Sequence, residues 1–529
     1  MHQDSALQTS LSRRALLWRS FGIGSGALLL AACSGLKAPS QPLVQPTTSS
    51  GPRRGGALRI SQPTDIAPAV IPHLVVPQNF VLYPLMYDTL LTYDAQLQPQ
   101  PRLATSWQWS ADARQITLQL RPGVKFHSGK PFTSVEVKAN LEHLRNPAVG
   151  SEWMSYANQM HIDASDPSTL VVTFDRPSKS SLDTLANTFM ADPETLGTNT
   201  FVGTGPFRIQ EWVQGDHLTF VRNSDYWQPD KPYLDQVNVQ IQPDPQTSVV
   251  AMESGSLDWV VGVTAEDARR LQSDRAYQVL LNASGGNLFF MIGLDTTVAA
   301  LADKRVRQAF SYAVNRQRMV DAALAGYGRP ASIIWPPQSL AYDAGLDQSH
   351  AYDPEKARQL LNEAGWDPST RVALRVGADL PAPAVMAQIY QGDLNAIGVN
   401  VSLEQKSTQE MLVLLQKRQV GGAWISPANL MNFSPATFFT SNAFARVPNP
   451  SNFTSDQYTS LVAQASAATD DQTLKPVVHD LTQLMLDESF FIPIAQSEFA
   501  GLGVARATVR DVAWDSTSMY RFQDVWLAA

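Results

Sequence analysis

Apolar and polar residues alternate along several short stretches of the chain. Leu58 and Ile60 flank Arg59, Ile116, Leu118 and Leu120 alternate with polar neighbours, and so do Val237, Val239 and Ile241. A period of two is that of a strand with one buried face. Residues 170–174 (LVVTF) and 218–221 (LTFV) predict two more strands. Elsewhere the spacing changes to three and four. Over residues 303–324 the apolar set Val306, Ala309, Phe310, Ala313 and Val314 predicts a helix with one buried face. Asp353 and Pro354, then Ala357, Leu360, Leu361 and Ala364, then Gly365, give a cap, a first-turn proline, an apolar face and a stop in order. Thr133 and Glu136 have the spacing of a capping box. Strands and helices are interspersed without an internal repeat, which predicts a mixed α/β class.

The 529 residues exceed what one core usually serves, so two or three structural units are expected. With 44% hydrophobic and 17% charged residues the chain has the make-up of a folded protein. Its net charge of -8 lacks the electrostatic footprint of a nucleic-acid or anionic-membrane binder. Residues 276–294 carry no charge, but Gln278, Asn282, Ser284 and Asn287 interrupt them too often for a membrane span.

Cys33 is the single cysteine, which excludes an internal disulfide and a cysteine-based metal site. Residues 1–33 read as an export signal, with Arg13, Arg14 and Arg19 before the short apolar run 21–32. Leu30-Ala31-Ala32-Cys33 resembles a bacterial lipobox, in which the cysteine is acylated, and residues 12–17 resemble a twin-arginine signal. The alternative is that Cys33 is a small hydrophobe in a buried helix. Residues 34–56, rich in Pro, Ser and Gly, read as a flexible tether.

The sequence lacks the usual reactive constellations. There is no GxxxxGK[ST] loop, no GxSxG elbow and no HExxH pair, and the histidines after residue 33 are scattered singly. Gly203-Thr204-Gly205 opens like a dinucleotide loop but leads into a predicted strand. His127 reads as a satisfied polar residue at a strand end rather than a ligand or base. Two acids paired in space for glycoside hydrolysis would leave no local signature.

Six segments, in order, are similar to the family 5 extracellular solute-binding proteins, the group with dipeptide-, oligopeptide- and nickel-binding proteins of ABC importers. They are residues 84–90 (PLMYDTL), 103–140, 203–227 (GTGPFRIQEWVQGDHLTFVRNSDYW), 251–258 (AMESGSLD), 303–320 and 352–366 (YDPEKARQLLNEAGW). Gly203, Gly205 and Pro206 suit a tight turn in the third. The resemblance implies a type II periplasmic-binding-protein-like clamp of two lobes with an inserted subdomain. Lobe I would take 57–91, 196–285 and 497–529, the insertion 92–195, and lobe II 286–496, with hinge strands near 286–293 and 491–496.

It also implies a monomer outside the cytoplasm, lipid-anchored through Cys33, that captures a peptide-like or other small solute by lobe closure. The solute would pass to an ABC permease, without cofactor or catalysis. A sensing or chaperone-like interaction protein on the same scaffold, and an extracytoplasmic hydrolase, are the competing readings. Family members carry a Gly-Trp-x-x-Asp stretch whose aromatic walls the cleft and whose aspartate meets a peptide amine. The best match here, residues 422–427, supplies Trp424 but no aspartate, and no acid occurs from Met411 to Ser455. Ser426 and Asn429 are the polar candidates nearby. Asn287 and Phe289, on one face of the first hinge strand, and Asn79 and Phe80 from lobe I complete the expected site.

Overall fold

The computed structural model describes residues 51–66, 81–281, 288–378, 380–429, 434–497, 503–514 and 519–528. The alternating stretch at the start forms the strand Ala57–Gln62, with Leu58 and Ile60 fully buried. It lies parallel to Gln236–Ile241 on one side and to Trp259–Val261 on the other. Around it runs a seven-stranded sheet in the order Tyr277–Leu280, Gly503–Arg506, Trp259–Val261, Ala57–Gln62, Gln236–Ile241, His217–Arg222 and Phe207–Val213. Leu58, Ile60, Leu218, Phe220, Val237 and Val239 face one core beneath it.

A second sheet, of six strands, has its own core. Its order is Gly328–Pro330, Phe491–Ser497, Leu288–Leu294, Ala423–Asn429, Arg371–Gly377 and Asn400–Lys406. Leu288–Leu294 pairs antiparallel with both neighbours, whereas Arg371–Gly377 pairs parallel with both of its own. A third, four-stranded antiparallel sheet joins Ala104–Trp109, Gln115–Leu120, Thr169–Phe174 and Met160–Asp166. Ile116, Leu118, Leu170 and Val172 turn into a core of its own, covered by the helix Ser134–His143. The chain crosses from the first large sheet to the second after Tyr277–Leu280 and returns after Phe491–Ser497.

Local signals explain most of the helix ends. The Thr133 N–H donates to the Glu136 carboxylate at 3.0 Å and its hydroxyl accepts from the Val135 N–H at 3.3 Å, closing the capping box. Asp353 accepts the Lys356 N–H at 2.9 Å to start Pro354–Glu363, and Gly365 ends it at φ +69°, a conformation costly for other residues. The helix expected over 303–324 is two helices, Lys304–Tyr312 and Arg316–Ala323. Asn315 leaves helical geometry and caps the second by accepting the Arg318 N–H at 3.2 Å, a local bond that competes with continuation. Val306, Ala309, Phe310, Ala313 and Val314 are buried together despite the break.

Gly203 and Gly205 also have a different basis from the turn expected of them. Neither sits at positive φ. A Cβ on Gly203 would lie 2.2 Å from the Met86 carbonyl oxygen, and one on Gly205 2.3 Å from the Met86 carbonyl carbon. They are glycines because two backbones touch.

Candidate functional site

The inserted subdomain meets the domain of the six-stranded sheet across a polar face. From the subdomain come the helix Met154–Ala157, the short turn Lys179–Ser181 and the helix Leu182–Asn187. The opposing face is the helix Pro435–Ser441, started by Pro435 in its first turn, and the helix Asp456–Ala467, capped by Ser455. Hydrogen bonds between described residues cross the face. The Ser434 N–H donates to Asp183 at 2.9 Å, the Thr437 hydroxyl donates to the Ser180 carbonyl at 3.2 Å, and the hydroxyls of Tyr156 and Thr440 lie 2.7 Å apart.

Asp183 is the centre of this contact. It is fully buried, and its second carboxylate oxygen accepts the Tyr93 hydroxyl at 2.8 Å. Burial, reinforced by the charge of Asp183, pushes the Tyr93 hydroxyl well above its ordinary value, so it stays a donor. Two grooves flank the contact. One, of about 330 Å³, runs between Met154–Ala157 with residues 176–180 and the helices Pro435–Ser441 and Asp456–Ala467. The other, of about 220 Å³, is bounded by Tyr93, Asp183, Ser434 and Leu474.

Glu152 stands beside this face, half-buried. Burial pushes its carboxyl up to about 7 from an ordinary 4.5, and the charge of Arg446 pulls the other way. An acid raised in the folded state holds its extra proton between those two values, so stability falls as pH rises through that window and the penalty is complete above it. Glu152→Gln is expected to raise stability by roughly 1–3 kcal/mol near pH 8 and to leave it unchanged near pH 4. Urea midpoints at the two pH values test this; an equal gain at both would remove the titration as its cause.

Where the inserted subdomain joins the seven-stranded domain, Asp88 is fully buried and accepts four donors. Trp227 Nε1 is at 2.9 Å, the Tyr226 hydroxyl at 3.2 Å, the Thr204 hydroxyl at 3.3 Å, and Arg102 pairs with it. His127 holds the same loop: its Nε2 donates to the Gly205 carbonyl at 3.0 Å and its Nδ1 accepts the Gly203 N–H at 3.3 Å. Burial lowers it to about 4, so it is neutral near pH 7 and acts as a tie.

Of the residues expected from the sequence to form the site, those that are described do not lie at the polar face. Trp424 is 0% exposed. It packs with Met411 and Val420 below the helix Thr408–Lys417, and a Cβ on its strand partner Gly293 would lie 2.0 Å from its ring. It presents no surface to a cleft in this arrangement, because that helix covers the face of the sheet from which it projects. Phe289 is likewise buried, with ring centroids 5.9 Å from Phe491 and 6.5 Å from Phe438. Phe290 is buried on the opposite face of the sheet, in the other core. Ser426 is half-buried, its hydroxyl donating to the Pro427 carbonyl at 2.9 Å. Asn429 ends its strand opposite Leu288. Asn79, Phe80, Asn287 and Cys33 lie outside the described residues.

Asp183, Tyr156, Glu152 and Arg446 were not nominated from sequence, and no local motif marks them. Among the described residues, no group of His, Cys, Asp and Glu is placed to hold a metal, and no helix is long and apolar enough to cross a membrane.

Comparison with known proteins gives the family. The profile of the bacterial extracellular solute-binding proteins, family 5 (middle), matches residues 98–461. The nickel-binding periplasmic protein of Escherichia coli (strain K12) is 28% identical over 472 residues, 82% of this chain and 87% of that protein. The glutathione-binding protein GsiB of Shigella flexneri is 31% identical over 327 residues, 60% of this chain and 63% of GsiB, under two thirds of its length. NikA from Brucella suis, solved with Fe(III)-EDTA, superposes with a TM-score of 0.78 at 25% identity, covering 89% of this chain and 100% of NikA. The fold is thus the two-lobed α/β clamp of periplasmic binding proteins. This chain belongs to family 5 of the bacterial extracellular solute-binding proteins.

Proposed function

We propose that the protein is the receptor of an ABC importer, capturing a small solute by lobe closure and handing it to a membrane permease without chemical turnover. The observation that carries this reading is the pair of large sheets with separate cores, joined by two crossings of the chain, with the four-stranded body inserted beside the first meeting the domain of the second across a polar face. Polar contacts across such a face re-solvate at small cost on opening, whereas a buried apolar face would hold the halves shut. A solute touching both halves favours the closed state by its difference in affinity for the two.

On this reading lobe I comprises 57–91, 196–285 and 497–529, the inserted subdomain 92–195, and lobe II 286–496. The chain acts as a monomer outside the cytoplasm. The ligand is a peptide-like or other small solute that presents no free amine to the acid-free stretch from Met411 to Ser455. Solute co-purifying with the protein, identified by native mass spectrometry, is expected to reduce the radius of gyration in small-angle scattering when added back. A profile unchanged at saturation would remove the clamp mechanism.

The anchor proposed is an acylated Cys33, supported by Leu30-Ala31-Ala32-Cys33 and the Pro- and Ser-rich stretch that follows. At about 0.8 kcal/mol per buried CH₂, two or more acyl chains hold a protein firmly. Cys33→Ala is expected to move the protein from the membrane to the soluble fraction. Wild type found soluble, with an unmodified thiol at Cys33, would refute it.

A further inference from the structure

The larger of the two grooves has an unusual balance of charge. Arg176 reaches it from the inserted subdomain and Arg446 from the six-stranded domain, and no carboxylate lines it. Its remaining polar lining is mostly hydroxyls, among them Ser178, Thr440 and Thr459. Arg176 spends its Nε on the Gln159 side-chain oxygen at 2.8 Å. Among the described residues neither arginine makes an ion pair. Glu152, the acid that feels the charge of Arg446, is raised to about 7 by burial and does not line the groove. Two guanidinium groups thus share one cavity of about 330 Å³ with no carboxylate in its lining.

Guanidinium groups are the donors best matched to planar or tetrahedral oxyanions, which they bind with paired, charge-assisted bonds. Here each half of the molecule contributes one. We propose that this groove is an anion-binding site completed by closure, taking a carboxylate- or sulfate-sized oxyanion between Arg176 and Arg446. Without the anion the two cations oppose the approach of the halves; with it they become the two sides of one bridge. The anion is either free in solution or a carboxylate borne by an organic solute. The site rests on the lobe closure proposed above, but not on the identity of the transported solute.

Calorimetric titration of the full chain with sulfate, and separately with succinate, tests it. Binding of either anion is expected, weakened roughly tenfold by Arg176→Gln and again by Arg446→Gln, since a bond to a charged group is being lost each time. Arg358→Gln, on the helix Pro354–Glu363 and outside the groove lining, is expected to leave it unchanged. Tighter binding of succinate assigns the site to organic carboxylates, and equal or tighter binding of sulfate to free oxyanions. Absence of binding by both anions would overturn the proposal, as would equal binding by the double variant or equal weakening by Arg358→Gln. Both arginines are exposed, and unchanged thermal unfolding of the variants establishes that they fold.

Discussion

Asp88→Ala is expected to cost about 3–5 kcal/mol of stability, the loss typical of removing one partner of a buried ion pair. The Arg102 side chain is only 14% exposed and the Asp88 side chain not at all, so the cation left behind is poorly hydrated. The Trp227 N–H and the hydroxyls of Tyr226 and Thr204 would lose their shared acceptor in the same step. Asp88→Asn keeps one carbonyl acceptor and the volume, and should cost less. Urea unfolding of the three proteins tests this ordering. A loss below about 1 kcal/mol for the alanine variant would mean that water or another acid replaces the carboxylate. Because Arg102 lies beyond the strand Pro99–Pro101 and Tyr226 and Trp227 follow the strand His217–Arg222, this carboxylate fastens the inserted subdomain to the seven-stranded domain.

Trp424→Ala is expected to cost a similar 3–5 kcal/mol, here through a cavity rather than a charge. The indole fills the space left by Gly293 and touches Met411 and Val420. Its Nε1 has no hydrogen-bond partner among the described residues, so truncation forfeits packing. Solute affinity of the folded variant should stay within a few-fold of wild type. The opposite pattern, near-native stability with affinity reduced a hundredfold, would return Trp424 to the wall of the cleft. Trp424→Phe, which restores most of the volume, should recover much of the stability.

The elements of each sheet and several helix caps were legible in the sequence alone. Period-two stretches at 57–62 and 236–241 became adjacent strands, because alternation fixes which side chains share a face. Caps at Thr133 and Asp353 held, because they depend on atoms three residues apart. Glycines at 203 and 205, in one of the segments that mark the family, are set by close contact with the backbone at Met86.

What alternation leaves open is which face a second element covers. Trp424 has the right type and neighbourhood for a cleft wall, yet the helix Thr408–Lys417 lies over its side of the sheet, and Phe289 is enclosed by Phe438 and Phe491. The polar face and its groove belong wholly to the tertiary structure. Asp183 meets Ser434 across 251 residues of chain and Tyr156 meets Thr440 across 284. Arg176 and Arg446 reach their common cavity from two bodies with separate cores. Local periodicity carries the fold of each body, because hydrophobic burial acts on neighbours along a helix or strand. The meeting of two polar surfaces leaves no such trace, because solvated residues on either side satisfy the same local pattern whether or not a partner faces them.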